Sequence, residues 1–434
     1  MPKTMDASRA RRLIESCLRR ELAPDAALPR ENVDLVEEGV LDSMAWVSFL
    51  RALESSTGAP DLGALLMGRP SSIESILAAI AASDGPAVAE LPVKTAVIAS
   101  DPVEGGFLIS SGTAFGSRTV PSEVVDREFG MPVGKLRKRA GIESIARAGE
   151  GESELTLGAQ AAQQALRIAG CGAGKIDWIL ATSETQHSYP SLGAQLHSRL
   201  LARENCGALD IGGACLGLLN AMAAARAYLA AGLARTILVV SADVHSRILA
   251  PGRVVGEFGG LFGDGASAFL LQARAAGENA YRLGEFQFGC AGQYAAAIRV
   301  APADAGAPGG TLDVQFDGEA LSRAAVSRME KVLRAAALRS GFALAEAAGF
   351  ATHQPNPRLV ELLARHLGVP AGKFPLIART CGNLGSSTCG AALHAALAAQ
   401  ASVPAAERQP VFLASLGPGL LFGGGWVEPV ASGA

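Results

Sequence analysis

The segment ALDIGGACLGLLNAMAAARAYLAAG, residues 208–232, decides the fold class. An apolar strand runs into Gly212-Gly213, and Cys215 then opens a long Ala-rich helix. A cysteine in that place meets the positive end of the helix dipole, which favours thiolate over thiol. Gly212, Gly213, Ala214 and Gly217 permit a tight turn and close approach of a substrate. Taken alone, such a turn fits a nucleophile and a packed core thiol equally well.

Outward from this segment the same rhythm repeats. Short β-rich runs (GFLISSG, KIDWILAT, RTILVVSA, SAFLLQA) alternate with helical stretches such as Leu157–Ala169, Cys215–Ala231 and Leu321–Arg339. Strands alternating with helices of that length imply parallel sheets covered on both faces. The rhythm runs twice, over about 107–275 and 283–430, which suits two similar halves.

Two further turns belong with the first. ATHQPNPRLVELLARHLG places His353 and Asn356 between a short strand and a helix, and ARTCGNLGSSTCGAALHAAL places Asn383 in a Gly/Ser-rich turn before another helix. A single loop histidine or asparagine is usually structural. Cys, His and Asn on three strand-to-helix turns of one α/β module are different, because such loops gather at the carboxyl end of a sheet, where ligands bind.

At 434 residues the chain is expected to hold two or more domains. A net charge of −3 gives no reason to expect nucleic acid or an anionic membrane as a partner. No apolar run is long enough to span a bilayer, and the start MPKTMDASRARRLIESCLRREL lacks the apolar stretch of a signal peptide, so a cytoplasmic protein is expected. The seven cysteines are an odd number with no CxxC pair, so no metal site is expected and most should be buried small hydrophobes.

The first 83 residues read differently. Residues 7–22 form an amphipathic helix with Leu13, Ile14, Cys17 and Leu18 on one side. EEGVLDSMAWVSFLRALE, at 37–54, sets Ser43 at a helix start, where a serine is ordinarily a cap. SSIESILAAIAAS opens a last helix with Glu74 three residues after Ser71, a capping-box spacing. Glu31, Asp34, Glu37, Glu38 and Asp42 surround Ser43, with no basic residue before Arg51. Residues 84–106, Gly/Pro/Ala-rich at first, read as a linker.

Residues 1–83 resemble an acyl carrier protein, a small all-α four-helix domain whose Gly-x-x-Asp-Ser-Leu is matched by Gly39, Asp42, Ser43 and Met44. The resemblance implies 4′-phosphopantetheine on Ser43, attached by a phosphopantetheinyl transferase, and an acidic rim read by partner enzymes. Residues from about 107 to 430 resemble ketoacyl-ACP synthase III and the wider thiolase-like condensing enzymes. The matched motifs, in family order, are LRKRAGIES (136–144), ATSETQHSYPS (181–191), GGACLG (212–217), FGDGAS (262–267), HQPN (353–356), GNLGSS (382–387) and GPGLLFGGGW (417–426). This resemblance implies an α/β fold of pseudo-duplicated αβαβα layers, halves at 107–275 and 276–434, and a homodimer. It implies that Cys215 carries the acyl group, that His353 and Asn383 serve decarboxylation of a malonyl-type extender, and that Arg139 and Arg358 contact the donor. Acyl-ACP or acyl-CoA thioesters and other carrier proteins are the implied partners, and fatty-acid or polyketide-like metabolism the setting. Tyr189 matches a position that reaches the partner subunit's pocket in the family, or packs an interface.

Three departures qualify the match. Lys135 stands where well-known members have a tryptophan, in a basic run (Lys135, Arg137, Lys138, Arg139) that reads as a solvated face or as a dock for an acidic carrier protein. Pro418 has no N–H to offer an oxyanion, so Cys215 N–H is the one donor assigned. Glu184 lies one residue off the position where related enzymes keep a glutamate base and reads as a structural or surface carboxylate. The activity expected is decarboxylative Claisen condensation. The alternative is acyl transfer from Cys215 to an alcohol or amine, and a non-catalytic partner subunit is disfavoured by the intact Cys, His and Asn.

Overall fold

The computed structural model describes residues 6–23, 26–58, 62–66, 69–83, 105–254, 256–275, 277, 279–302 and 311–430; most of the expected linker lies outside them. The chain divides into two compact units, Met1–Asp101 with Asp317–Ala325, and Pro102–Phe316 with Val326–Ala434.

The first unit carries helices Ala7–Glu21, Ser43–Thr57, Leu62–Leu65 and Ile73–Ser83. Their shared core takes Ile14 and Leu18 from the first helix, Phe49, Leu50 and Leu53 from the second, and Ile76 and Ile80 from the last. Asp42, rather than Ser43, caps the second helix, since its carboxylate accepts the Met44 and Ala45 N–H groups at 3.0 and 2.8 Å. Ser43 is thus the first helical residue. The last helix is capped by Ser72 rather than Ser71: the Ser72 hydroxyl accepts Ser75 N–H at 3.2 Å, while Ser71 N–H is spent on Asp34 at 2.9 Å.

The second unit is built on a ten-stranded sheet. Its order is Gly349–Thr352, Val411–Gly417, Leu421–Pro429, Tyr281–Leu283, Phe107–Phe115, Asp264–Gln272, Thr236–Val244, Trp178–Thr182 and Gly207–Asp210, with Gln287–Cys290 pairing Leu421–Pro429 to one side. The sheet is mixed, which corrects the expectation of parallel sheets. Thr236–Val244, Trp178–Thr182 and Gly207–Asp210 run parallel, as do Gly349–Thr352 and Val411–Gly417. Asp264–Gln272 and Leu421–Pro429 run antiparallel to their neighbours. The connections explain this. Only the tight turn Pro418–Leu420 joins Val411–Gly417 to Leu421–Pro429, and a parallel pair needs a long crossover.

Helices Gly217–Ala230 and Ser387–Ala399 share one core with strands from both ends of the sheet, including Leu180, Ile237 and Phe269 on one side and Ala351, Leu413 and Val427 on the other. A second core forms under helices Glu154–Ile168 and Leu192–Arg199. Two central helices between sheet halves, with helices outside, give the layered thiolase-like arrangement. The outer helix approaches the sheet closely: a Cβ on Gly112 would stand 2.2 Å from the Ala161 carbonyl oxygen, which is backbone and cannot swing away. Gly112→Ala is therefore expected to destabilise the chain by about 1–3 kcal/mol, read from the midpoint of urea unfolding.

Candidate functional site

Gly213 (φ 130°) and Ala214 (φ 48°) break the backbone direction after strand Gly207–Asp210. Cys215 follows in a single 3-10 turn, Ala214–Leu216, that leads into helix Gly217–Ala230. Two close approaches fix the turn. A Cβ on Gly217 would stand 2.1 Å from the Thr182 hydroxyl, and one on Gly417 2.6 Å from the Gly213 carbonyl. The Ser415 hydroxyl donates to the Cys215 carbonyl at 2.7 Å. Cys215 is buried.

His353 extends strand Gly349–Thr352, and its N–H donates to the Ala414 carbonyl at 2.9 Å. Burial pushes its imidazole down to about 4, although Glu184 and the Gly385 backbone pull the other way. The ring is therefore neutral at physiological pH. Asn356 caps helix Pro357–Leu367 by accepting Leu359 N–H at 2.9 Å, so it shapes the loop rather than entering the site. Gln354 ties this loop to the next one: it donates to the Pro375 carbonyl at 2.6 Å and accepts Ala378 N–H at 3.1 Å.

Asn383 is held through its backbone, with N–H to the Leu261 carbonyl and carbonyl to Gly263 N–H, both at 2.9 Å. Its Oδ1 accepts Gly385 N–H at 3.0 Å and the Thr388 hydroxyl at 3.3 Å, which turns the amide NH2 away from both. The Ser386 and Ser387 hydroxyls meet Ser241 at 2.5 and 2.8 Å and pin this turn to strand Thr236–Val244. Gly385 (φ 59°) is needed here, because a Cβ would stand 2.8 Å from Glu184, Asp243 and His245 at once.

Those three side chains are the unexpected part of the site. Glu184 follows strand Trp178–Thr182, and its N–H donates to Asp243 at 2.6 Å. Its carboxylate is largely buried and acts on Cys215 and His353, so of the two expected readings, structural or surface, the surface one does not hold. Asp243 lies near the end of strand Thr236–Val244, which is buried throughout, and His245 follows directly after it, also buried. His245 Nδ1 lies 3.2 Å from the Gly263 carbonyl, and Nε2 lies 3.9 Å from Glu184. Burial lowers the His245 pKa, but Glu184 and Asp243 outweigh it and hold the ring at about 9. Burial raises Asp243 to about 7. The signal for both was visible in SADVH: two ionisable residues at the end of the apolar run RTILVV.

The expected thiolate is also corrected. Burial first, then the Glu184 and Asp243 carboxylates, push the Cys215 thiol well above its ordinary value. One helix end cannot offset desolvation plus two like charges.

Other expected residues lie elsewhere. Arg139 is exposed in the turn Leu136–Ala140, and Arg358 is exposed and paired with Glu361 at 3.0 Å. A Cβ on Gly141 would be 3.5 Å from Arg358, so the two arginine-bearing segments are neighbours. Lys135 pairs with Glu257 at 3.1 Å and Arg137 with Glu123 at 2.9 Å. Tyr189 is 99% exposed. The Ser43 side chain lies outside the described groups. Among the described residues no cluster fits a metal ion, and no helix is long and apolar enough to cross a membrane.

Residues 209–292 match the family described as 3-oxoacyl-[acyl-carrier-protein (ACP)] synthase III, and residues 338–428 match its C-terminal counterpart. The first stretch contains Cys215 and the second His353 and Asn383. The β-ketoacyl-[acyl-carrier-protein] synthase III of Neisseria meningitidis serogroup B is 30% identical over 260 residues, 59% of this chain and 79% of that protein. The crystal structure of 3-oxoacyl-[acyl-carrier-protein] synthase III from Aquifex aeolicus shares the fold, with a TM-score of 0.65 and 23% identity over 74% of this chain and 99% of that one. So does the priming β-ketosynthase of a polyketide biosynthetic pathway, with a TM-score of 0.65 and 24% identity over 74% of this chain and 96% of that one. With an identity of that level over most of a relative's length, and the three turns in matching order, the chain belongs to the β-ketoacyl-[acyl-carrier-protein] synthase III family of acyltransferases.

Proposed function

We propose that the chain catalyses decarboxylative Claisen condensation of an acyl group held on Cys215 with a malonyl-type thioester, in fatty-acid or polyketide-like metabolism. What supports this reading is that Cys215 and His353, from two separate strand-to-helix turns, both act on Glu184, and that His353 meets Gly385 on the third turn, which carries Asn383. The Cys215 sulfur attacks the donor thioester and displaces its thiol. The extender then loses CO2, and its carbonyl oxygen takes up charge as an enolate. A neutral His353 and the Asn383 amide donate hydrogen bonds to that oxygen without presenting a formal cation that would bind the extender's own carboxylate. The enolate carbon attacks the acyl carbon, and the Cys215 sulfur leaves. Leu420 cannot supply a second donor to the acyl oxygen, because its N–H is spent on the Ala291 carbonyl at 3.2 Å.

In the same reading residues 1–83 are an acyl carrier domain with 4′-phosphopantetheine on Ser43. What supports it is the helical core, the helix start at Ser43 and the acidic residues around it. The phosphodiester would sit at the positive end of helix Ser43–Thr57. A carrier in cis raises the local concentration of its thioester to about millimolar where the span can be reached. The segment Lys138–Arg139 is exposed and without an ion pair among the described residues, which suits an acidic carrier as donor. A homodimer with Tyr189 at its interface belongs to this reading too.

The test is to phosphopantetheinylate the full chain, incubate it with acyl and malonyl thioesters on coenzyme A and on carrier protein, and locate adducts by peptide mass spectrometry. The expected result is a 4′-phosphopantetheine adduct on Ser43, absent in Ser43→Ala, acyl groups on Cys215, and CO2 released with a β-ketoacyl product. A chain that passes the acyl group to an alcohol or amine without CO2 would support the simple acyltransferase instead.

A further inference from the structure

The condensation described above uses His353 and leaves Glu184, Asp243 and His245 without a task, although the first two act on the nucleophile and the third on them. Loading raises a question they answer. The Cys215 thiol holds its proton, and that proton has to go somewhere as the acyl–sulfur bond forms.

Four ionisable groups surround the thiol, directly or through one another. Asp243 has its Oδ1 committed to Glu184 N–H at 2.6 Å and to the Ser183 hydroxyl at 3.2 Å. His245 already carries a proton, fixed between the Gly263 carbonyl and the two carboxylates. His353 is pushed down to about 4 by burial and is oriented for the extender. Glu184 is the one left: it stands two residues beyond Thr182, whose hydroxyl would lie 2.1 Å from a Cβ on Gly217 in the turn after Cys215, and its carboxylate acts on the thiol. Its side chain is only 17% exposed, and its Oε1 is shut off from solvent with no nitrogen or oxygen partner among the described residues.

We infer that Glu184 is the general base of the loading step: as the Cys215 sulfur bonds to the acyl carbon, its proton passes to the Glu184 carboxylate. Glu184 then returns that proton to the sulfur of the departing carrier or coenzyme thiol, so one thioester is exchanged for another with no net proton change. A carboxylate is a weak base toward a resting thiol. The S–H proton becomes acidic as the carbon–sulfur bond forms, so the transfer accompanies attack rather than preceding it. His245 is the positioning residue, since its charge keeps Glu184 ionised. This inference rests on the reading of Cys215 as the acylated thiol.

The assignment makes Glu184→Gln move two measurements in opposite directions. Removing the carboxylate's charge makes a Cys215 thiolate easier to form, so the midpoint of the pH profile for iodoacetamide alkylation of Cys215 is expected to fall by about one unit or more. Single-turnover loading of Cys215 from acetyl-, butyryl- and octanoyl-coenzyme A at pH 7 is nevertheless expected to slow roughly 10²-fold, despite the more available thiolate. Glu184→Asp, which keeps the charge on a shorter arm, is expected to recover part of the loading rate and the high alkylation midpoint. Loading by Glu184→Gln at or above the wild-type rate overturns the assignment alone, as does a folded Glu184→Asp that loads no better than Glu184→Gln. A wild-type chain that never loads at Cys215 overturns both this inference and the reading beneath it.

Discussion

Cys215→Ala is expected to abolish acyl loading and to reduce condensation on the order of 10⁶-fold, the scale on which a removed nucleophile shows. The size follows from the site. Cys215 is the thiol at the turn where strand and central helix meet, and no other cysteine is among the groups facing Glu184. Cys389, on the neighbouring helix, is fully buried, donates to the Ala351 carbonyl at 3.3 Å, and is pushed up to about 12, so it offers no substitute. The fold should survive, because the Ser415 bond goes to the Cys215 backbone carbonyl and not to its side chain. With His353 and Asn383 in place, decarboxylation of a malonyl thioester should continue without product. Peptide mass spectrometry for the adduct, and CO2 release measured against β-ketoacyl formation, check both halves.

His353→Ala and Asn383→Ala are each expected to slow decarboxylation roughly 10²–10³-fold while leaving loading of Cys215 nearly unchanged. Both side chains would address one developing oxyanion, so the double variant should lose less than the product of the two factors. Asn383→Asp is the sharper variant. It retains an oxygen for Gly385 N–H and the Thr388 hydroxyl, so the turn stays folded. It replaces the amide donors with a carboxylate, so the donated hydrogen bond becomes a repulsion. A loss larger than that of Asn383→Ala, in a chain with unchanged thermal stability, is the expected outcome. Equal loss in loading and decarboxylation would show that the asparagine acts on the fold.

The three turns were legible because each couples a reactive residue to a strand end through small residues, a pattern that sequence spacing preserves. Strand direction was less so. Alternating strands and helices point to parallel pairing, whereas the tight Pro418–Leu420 turn and the short helices before Asp264 put antiparallel strands into the sheet. Glu184 was misread because position along a strand predicts where a side chain points only while the strand lasts. The strand ends at Thr182, and the Asp243 carboxylate then seizes Glu184 N–H and the Ser183 hydroxyl and turns the chain inward. The thiolate was misread for a related reason. Helix position is local, but desolvation and the approach of two carboxylates are properties of packing between distant segments. Asp243 and His245 needed only the observation that charged residues closing an apolar strand have to be paired somewhere.

The hydroxyl of Ser415 on the Cys215 carbonyl, and the space that Gly417 leaves for Gly213, have a bearing on heredity as well as on geometry. The reactive thiol follows strand Gly207–Asp210 at one edge of the sheet, yet the shape of its turn is supported by strand Val411–Gly417, far away in the strand order. Two segments tied in this way cannot change independently. A change at position 415 or 417 would be felt 200 residues upstream, at the nucleophile itself.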